Sequence, residues 1–272
     1  MSEPSYANVP GLRVALADTV LSVTLDRAEK RNAIDEDMMR GLVDALTVAS
    51  TDDRVRCILL DGSGNHFCGG ADIVARNRTD GAPRPRTGSI QRRLPTQAHH
   101  LIPLICEVQV PVVCKVRGFA AGIGFSIALA ADFTIADDNA RFWEPFTERG
   151  FTPDSGATWL LPRRVGEVRA RERLLLDREL SGTEAAAWGA IQAAVPADEL
   201  DAAVDELVGT LANGPTVTLG LTKWLLHAGR DASLDQHLRN EALALELSSR
   251  SQDFREGMSA FGERRPPRFE GT

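Results

Sequence analysis

Two strand-like apolar runs that each pass directly into a glycine turn constrain this chain more than any other feature. Cys57-Ile58-Leu59-Leu60 leads through Gly62 and Gly64 into Asn65-His66-Phe67-Cys68-Gly69-Gly70-Ala71-Asp72. Val112 to Val116 leads into Gly118 to Ser126, reading Gly-Phe-Ala-Ala-Gly-Ile-Gly-Phe-Ser. A strand that ends in a glycine turn and then opens a helix leaves backbone N–H groups free, and such groups stabilise negative charge on oxygen. Two of these turns can supply two donors to one oxygen, which points to chemistry on a carbonyl. Neither turn fits Gly-x-Gly-x-x-Gly, because position 127 is Ile127, and no Gly-Lys-Ser/Thr occurs.

The surrounding pattern supports an α/β fold. Val14 to Leu25 alternates around Asp18-Thr19 and predicts a hairpin. Asp35 to Ala49 has helical spacing at Met38, Met39, Leu42, Ala45 and Leu46, with Asp35 as its cap. The runs 57–60, 112–116 and 133–136 are almost continuously apolar and are separated by helix-length sequence, which predicts a sheet covered on both faces. From Thr183 onward the pattern is helical over 185–189, 200–211, 216–227, 234–247 and 252–261, with one strand-like run at 191–195. The expected organisation is a core of residues 1–195 and a helical C-terminal subdomain of residues 196–272. Residues 77–97, with Arg76, Arg78, Arg84, Arg86, Arg92 and Arg93 among glycines and prolines, read as a mobile basic loop. That loop is either a solvated surface or a contact for the phosphates or carboxylates of a ligand.

Composition excludes several classes. A net charge of -7 argues against a general nucleic-acid binder. No apolar run has membrane-spanning length, and the first ten residues lack a basic-then-apolar signal pattern. The four cysteines form no Cys-x-x-Cys pair and read as reduced core thiols of a cytoplasmic protein. Five histidines without paired ligand spacing indicate no metal site.

Several residues compete for a chemical role. Gly124-Phe125-Ser126-Ile127-Ala128 approaches the Gly-x-Ser-x-Gly elbow of serine hydrolases but lacks the last glycine, and only His227 and His237 follow it. Glu144 and Glu148 flank Phe146 and read as surface charges, with a catalytic role as the alternative. Trp143, Phe142, Phe146 and Phe151 read as core, with an acyl pocket as the alternative. Asp72 reads as a residue that caps or orients the first turn.

Leu25 to Ile34 (Leu-Asp-Arg-Ala-Glu-Lys-Arg-Asn-Ala-Ile), Phe67 to Asp72, Gly118 to Asp132, Gly150 to Gly166, and Glu256 to Phe261 followed by Arg264-Arg265-Pro266 together resemble the crotonase (enoyl-CoA hydratase/isomerase) superfamily over nearly the whole chain. The resemblance implies a crotonase-like (ClpP/crotonase) α/β spiral of ββα units with a helical C-terminal trimerisation region. It implies an acyl-CoA thioester substrate, with coenzyme A as part of the substrate and no separate cofactor, and a homotrimer or dimer of trimers. The N–H groups of Ala71 and Ile123 would form an oxyanion hole for a thioester enolate. Ala28, Lys30 and Asn32, with Gly70, Asp72 and Ile73, would line the coenzyme A path, and Phe261 and Arg264 would reach the nucleotide. The two glutamates of the family's hydratases are replaced by Ser126 and Phe146, neither of which is a carboxylate base. Thr152-Pro153-Asp154-Ser155-Gly156-Ala157-Thr158-Trp159-Leu160-Leu161-Pro162-Arg163 is similar instead to isomerases that shuttle protons with one aspartate. That implies Asp154 as acid/base, against the alternative that it caps a helix over 155–161. The competing readings are a hydratase using another acid, a coenzyme A binder without turnover, and a serine hydrolase using Ser126.

Overall fold

The computed structural model describes residues 4–72 and 86–272. The hairpin forms as its alternation predicts. Strands β1 (Leu12–Ala17) and β2 (Val20–Leu25) pair antiparallel with Leu16 opposite Leu21. Asp18 takes the left-handed conformation in the turn, φ 52°, one that aspartate tolerates better than most residues.

The hairpin opens a six-stranded sheet that continues through β3 (Cys57–Gly62), β4 (Val112–Val116), β6 (Phe133–Asp137) and β9 (Ala193–Val195) in the order β1-β2-β3-β4-β6-β9. From β2 onward every pairing is parallel. The continuous apolar runs follow from the two covered faces. Ile58, Leu60, Val112 and Cys114 enter the main core, which also holds Met38, Leu42 and Leu46 of helix α1 (Glu36–Ala49). Their alternates Cys57, Val113 and Ile135 face Leu200, Val204, Val208 and Leu211 of helix α8 (Leu200–Ala212) on the opposite side. A period of two thus splits each strand between two cores, so neither side is polar. Asp35 caps α1 as expected, accepting from the N–H groups of Asp37 and Met38.

A second, three-stranded sheet joins β5 (Phe119–Ala121), β7 (Arg141–Trp143) and β8 (Leu180–Ser181). Its strands are too short to show periodicity, and the sequence reading did not include it. The basic segment also differs from the expected loop. Residues 73–85, with Ile73, Arg76, Arg78 and Arg84, lie outside the described residues. Residues 89–93 form a short helix, α2 (Ser89–Arg93), followed by a 3-10 turn over Leu94–Thr96 and by α3 (Ala98–Glu107).

Helix α4 (Ile123–Ala130) is buried at every position. Helices α5 (Ala157–Val165), α6 (Glu167–Leu176) and α7 (Gly182–Ala187) follow it. The arginine-rich α6 carries no apolar stripe, and only Ala170 and Arg173 are buried on it. The helical C-terminal region consists of α8, α9 (Thr216–Ala228), α10 (Leu234–Ser248) and α11 (Gln252–Glu263), close to the spans that the periodicity predicts. Lys223 ties α9 to the core. Its buried ammonium donates to the carbonyls of Ile105 (2.9 Å) and Val110 (3.3 Å) and pairs with Asp132 at 2.7 Å.

All four cysteines are buried and unpaired. Burial pushes the Cys57 and Cys68 thiols up to about 12, which keeps them in the unreactive thiol form. Among the described residues no helix is long and apolar enough to cross a membrane.

Candidate active site

The first glycine turn is held from both sides by main-chain hydrogen bonds. Phe67 and Cys68 donate to the carbonyls of Arg117 and Phe119, and Ala121 donates back to Cys68. On the other side Gly69 donates to Arg31, Ile34 to Gly70, and Asp72 to Ile34. Asn32 is fully buried and joins these segments. Its amide donates to the carbonyls of Ser63 (2.9 Å) and His66 (2.6 Å), and its oxygen accepts from the N–H of Arg27 (2.8 Å). Asn32 is therefore spent on the scaffold, while Ala28 and Lys30, in a 3-10 turn over Ala28–Lys30, stay exposed. Asp72 turns inward and pairs with Arg27 at 3.1 Å and Lys30 at 3.5 Å, the orienting role its sequence position implied.

The second turn meets the first. Gly122 sits at φ 53°, ψ -121°, a region essentially closed to other residues, and its N–H donates to the Trp143 carbonyl at 2.8 Å. Gly70 has φ 102°. A Cβ on Gly122 would lie 3.9 Å from the Gly70 Cα, and one on Gly70 would lie 3.3 Å from the Ala121 carbonyl oxygen. The residue after each glycine carries a candidate donor. Ile123 opens α4, so its N–H has no acceptor inside the helix. Neither Ala71 nor Ile123 donates a backbone hydrogen bond to another described residue.

Asp154 is half-buried just ahead of α5. It does not cap that helix: the N-cap is Gly156 and no side chain bonds the first turn. The helix-cap alternative is thereby removed. The Asp154 carboxylate instead accepts from Ser155 Oγ at 2.7 Å, and its main-chain carbonyl accepts from His99 Nε2 at 2.7 Å. A cavity of about 310 Å³ opens beside this segment, lined by Ile102, Cys106, Ser155, Trp159 and Leu160 among others.

Glu144 corrects the sequence reading most directly. It is not a surface charge but only 3% exposed, and neither carboxyl oxygen has a hydrogen-bond partner among the described residues. Burial, then the nearby charge of Asp154, push this carboxyl well above the ordinary range, while the Ser126 hydroxyl beside it acts in the opposite direction. The Ser126–Glu144 pair falls short of hydrogen-bond geometry, and Ser126 Oγ is likewise unpartnered. One signal for Glu144 was present in the sequence. Across Arg141-Phe142-Trp143-Glu144-Pro145-Phe146 the even positions are apolar except Glu144, and those three side chains are all buried. Glu148 is exposed, as expected.

The other candidates separate. Phe142 belongs to the core and tilts against Phe125 at 5.1 Å. Phe146 meets Phe151 edge-on at 5.2 Å, and its ring tip would lie 3.8 Å from a Cβ on Gly122, so it borders the glycine turns. Among the described residues Ser126 has no histidine as a hydrogen-bond partner, so no base activates it as a nucleophile there. Phe261 is 82% exposed and Arg264 is exposed at the C-terminal end of α11. Among the described residues no cluster of histidine, cysteine, aspartate or glutamate could hold a metal ion.

Comparison with known proteins agrees with this geometry. The family model described as Enoyl-CoA hydratase/isomerase matches residues 16–272. A 1,2-epoxyphenylacetyl-CoA isomerase of Escherichia coli is 38% identical over 252 residues, covering 93% of this chain and 95% of the relative. A crotonyl-CoA hydratase of Syntrophomonas wolfei is 30% identical over 246 residues, covering 90% and 92%. The crystal structure of an enoyl-CoA hydratase from Bacillus anthracis superposes with a TM-score of 0.89 at 26% identity, covering 96% of this chain and 100% of the other. A mixed, mostly parallel sheet with a helical C-terminal region matches the crotonase fold of that structure. The chain belongs to the enoyl-CoA hydratase/isomerase family.

Proposed function

We propose that this protein is an acyl-CoA isomerase that stabilises a thioester enolate with the N–H groups of Ala71 and Ile123 and moves a proton with Asp154. The observation that supports this reading is the approach of the two glycine turns, where a Cβ on Gly122 would come within 3.9 Å of the Gly70 Cα, together with the lack of a backbone acceptor among the described residues for the N–H of Ala71 or Ile123. A carbon-bound proton next to a thioester is weakly acidic, so the site must place its stabilisation on the oxygen where charge develops. In the proposed step the Asp154 carboxylate takes a proton from one carbon of the acyl group. The electron pair passes to the thioester oxygen, held by the two N–H groups. The Asp154 carboxyl, whose proton exchanges with solvent, then delivers a proton two carbons further along, and the double bond shifts with no net gain or loss of atoms.

Two features favour isomerisation over hydration. The positions that would hold a hydratase's glutamates carry Ser126 and Phe146, and the Escherichia coli relative is an isomerase. The charge of Asp154 is felt at Glu144, which directly follows the Trp143 carbonyl that anchors Gly122. Ala28 and Lys30 would lie along coenzyme A. Exposed apolar residues on the C-terminal helices, including Leu226, Leu234, Leu245 and Phe261, support a trimer or dimer of trimers. In that assembly Phe261 and Arg264 of one copy would reach a neighbour's nucleotide.

The test is proton exchange. In deuterated water the protein should exchange label into a bound 3-enoyl-CoA and convert it to the 2-enoyl isomer. Rapid water addition to crotonyl-CoA with no isomerisation would overturn the reading.

A further inference from the structure

The proposed proton shuttle leaves two buried polar side chains unused. Glu144 and Ser126 are 3% and 0% exposed, and all three of their side-chain oxygens lack partners. Such groups cost stability, and an apolar residue of similar size would avoid that cost. Their positions set them against the second glycine turn and near Asp154. Ser126 lies three residues after Ile123 on α4, which places both on one face of the helix. Glu144 follows Trp143, whose carbonyl accepts from Gly122, and lies beside Ser126 and within the electrostatic reach of Asp154. A neutral carboxyl offers one O–H donor and an acceptor, and a serine hydroxyl offers both as well. A purely hydrocarbon acyl group would leave these atoms unsatisfied, whereas an oxygen on the acyl group would pair with them.

We propose that Glu144 and Ser126 form a hydrogen-bonding subsite of the acyl pocket, selecting acyl-CoA thioesters whose acyl group carries an oxygen atom as a hydroxyl, keto or ring-ether group. The proposal rests on the acyl-CoA reading above and names the substrate class for it.

Calorimetric binding of matched thioester pairs tests it. The pairs are 2-hydroxyphenylacetyl-CoA with phenylacetyl-CoA and 3-hydroxybutyryl-CoA with butyryl-CoA. The oxygen-bearing member of at least one pair should bind wild type about tenfold tighter or more, because a site with buried polar groups penalises a ligand that cannot pair with them. Glu144→Met should abolish that preference while its melting temperature stays at or above the wild-type value. Ser126→Ala, a smaller change, should reduce the preference, and Glu144→Gln, which keeps a donor and an acceptor, should retain part of it. Equal binding within both pairs, or a preference that survives in Glu144→Met, overturns the subsite and leaves the acyl-CoA reading standing. Failure of all four thioesters to bind overturns both.

Discussion

Gly70 and Gly122 face one another across the two glycine turns, near enough that a Cβ on Gly122 would come within 3.9 Å of the Gly70 Cα. This approach brings the loop after β3 to the start of α4, and it makes two separate sequence motifs into one candidate oxyanion site.

Gly122→Ala tests that approach. At φ 53°, ψ -121° a side chain costs on the order of 1–3 kcal/mol, and relief of the strain would swing the Ile123 N–H away. Turnover should fall roughly a hundredfold or more, the usual effect of losing one such donor. Coenzyme A binding measured by calorimetry should change little. Near-wild-type turnover would show that Ile123 is not a donor.

Asp154→Asn should abolish deuterium exchange from solvent into bound acyl-CoA while leaving thioester binding intact. The substitution keeps the shape and the Ser155 contact but removes the base. Mass spectrometry of the recovered thioester reads the result, and wild-type exchange would exclude Asp154.

Crotonyl-CoA hydration should be very slow compared with the isomerisation rate, because Ser126 and Phe146 provide no carboxylate base to activate water. Loss of absorbance of the conjugated thioester measures it. A rate typical of hydratases would assign water activation to Glu144 or Asp154.

Glu144 makes stability depend on pH. Its folded pKa is raised, so its contribution is fully present below the ordinary glutamate range and is lost as pH rises towards its own, higher value. In that window the native protein keeps a proton that the unfolded chain has released. Stability should fall by up to about 1.4 kcal/mol per pH unit relative to Glu144→Gln. Urea unfolding of both proteins between pH 5 and pH 7 would show parallel curves if Glu144 were ionised in the native state.

Lys223→Met should destabilise the protein by roughly 3–5 kcal/mol, as expected when one member of a buried charge pair is removed. The change strips partners from Asp132 and from the Ile105 and Val110 carbonyls. Chemical denaturation measures the loss, and a change below about 1 kcal/mol would mean that the pair contributes little beyond an apolar contact.

Local pattern made much of this architecture legible. The β1–β2 hairpin, the Asp35 cap, the parallel core strands and the C-terminal helices all rest on periodicity or capping chemistry, which act within a few residues. The second sheet escaped notice because two- and three-residue strands carry no period. Helix α6 escaped because its faces are nearly all charged or exposed.

The sequence by itself determined the two glycine turns, since glycine's freedom and a helix start are properties of the local chain. Tertiary structure alone decided what surrounds them. It brought Gly70 against Gly122, withdrew Asn32 into the scaffold and released Asp154 from the capping role that its neighbours suggested. It also buried Glu144 beside Ser126 with no partner for either. Burial and electrostatic surroundings depend on residues far apart in the chain, so a glutamate that reads as a solvated charge in sequence has its ionised form disfavoured only when the fold closes over it.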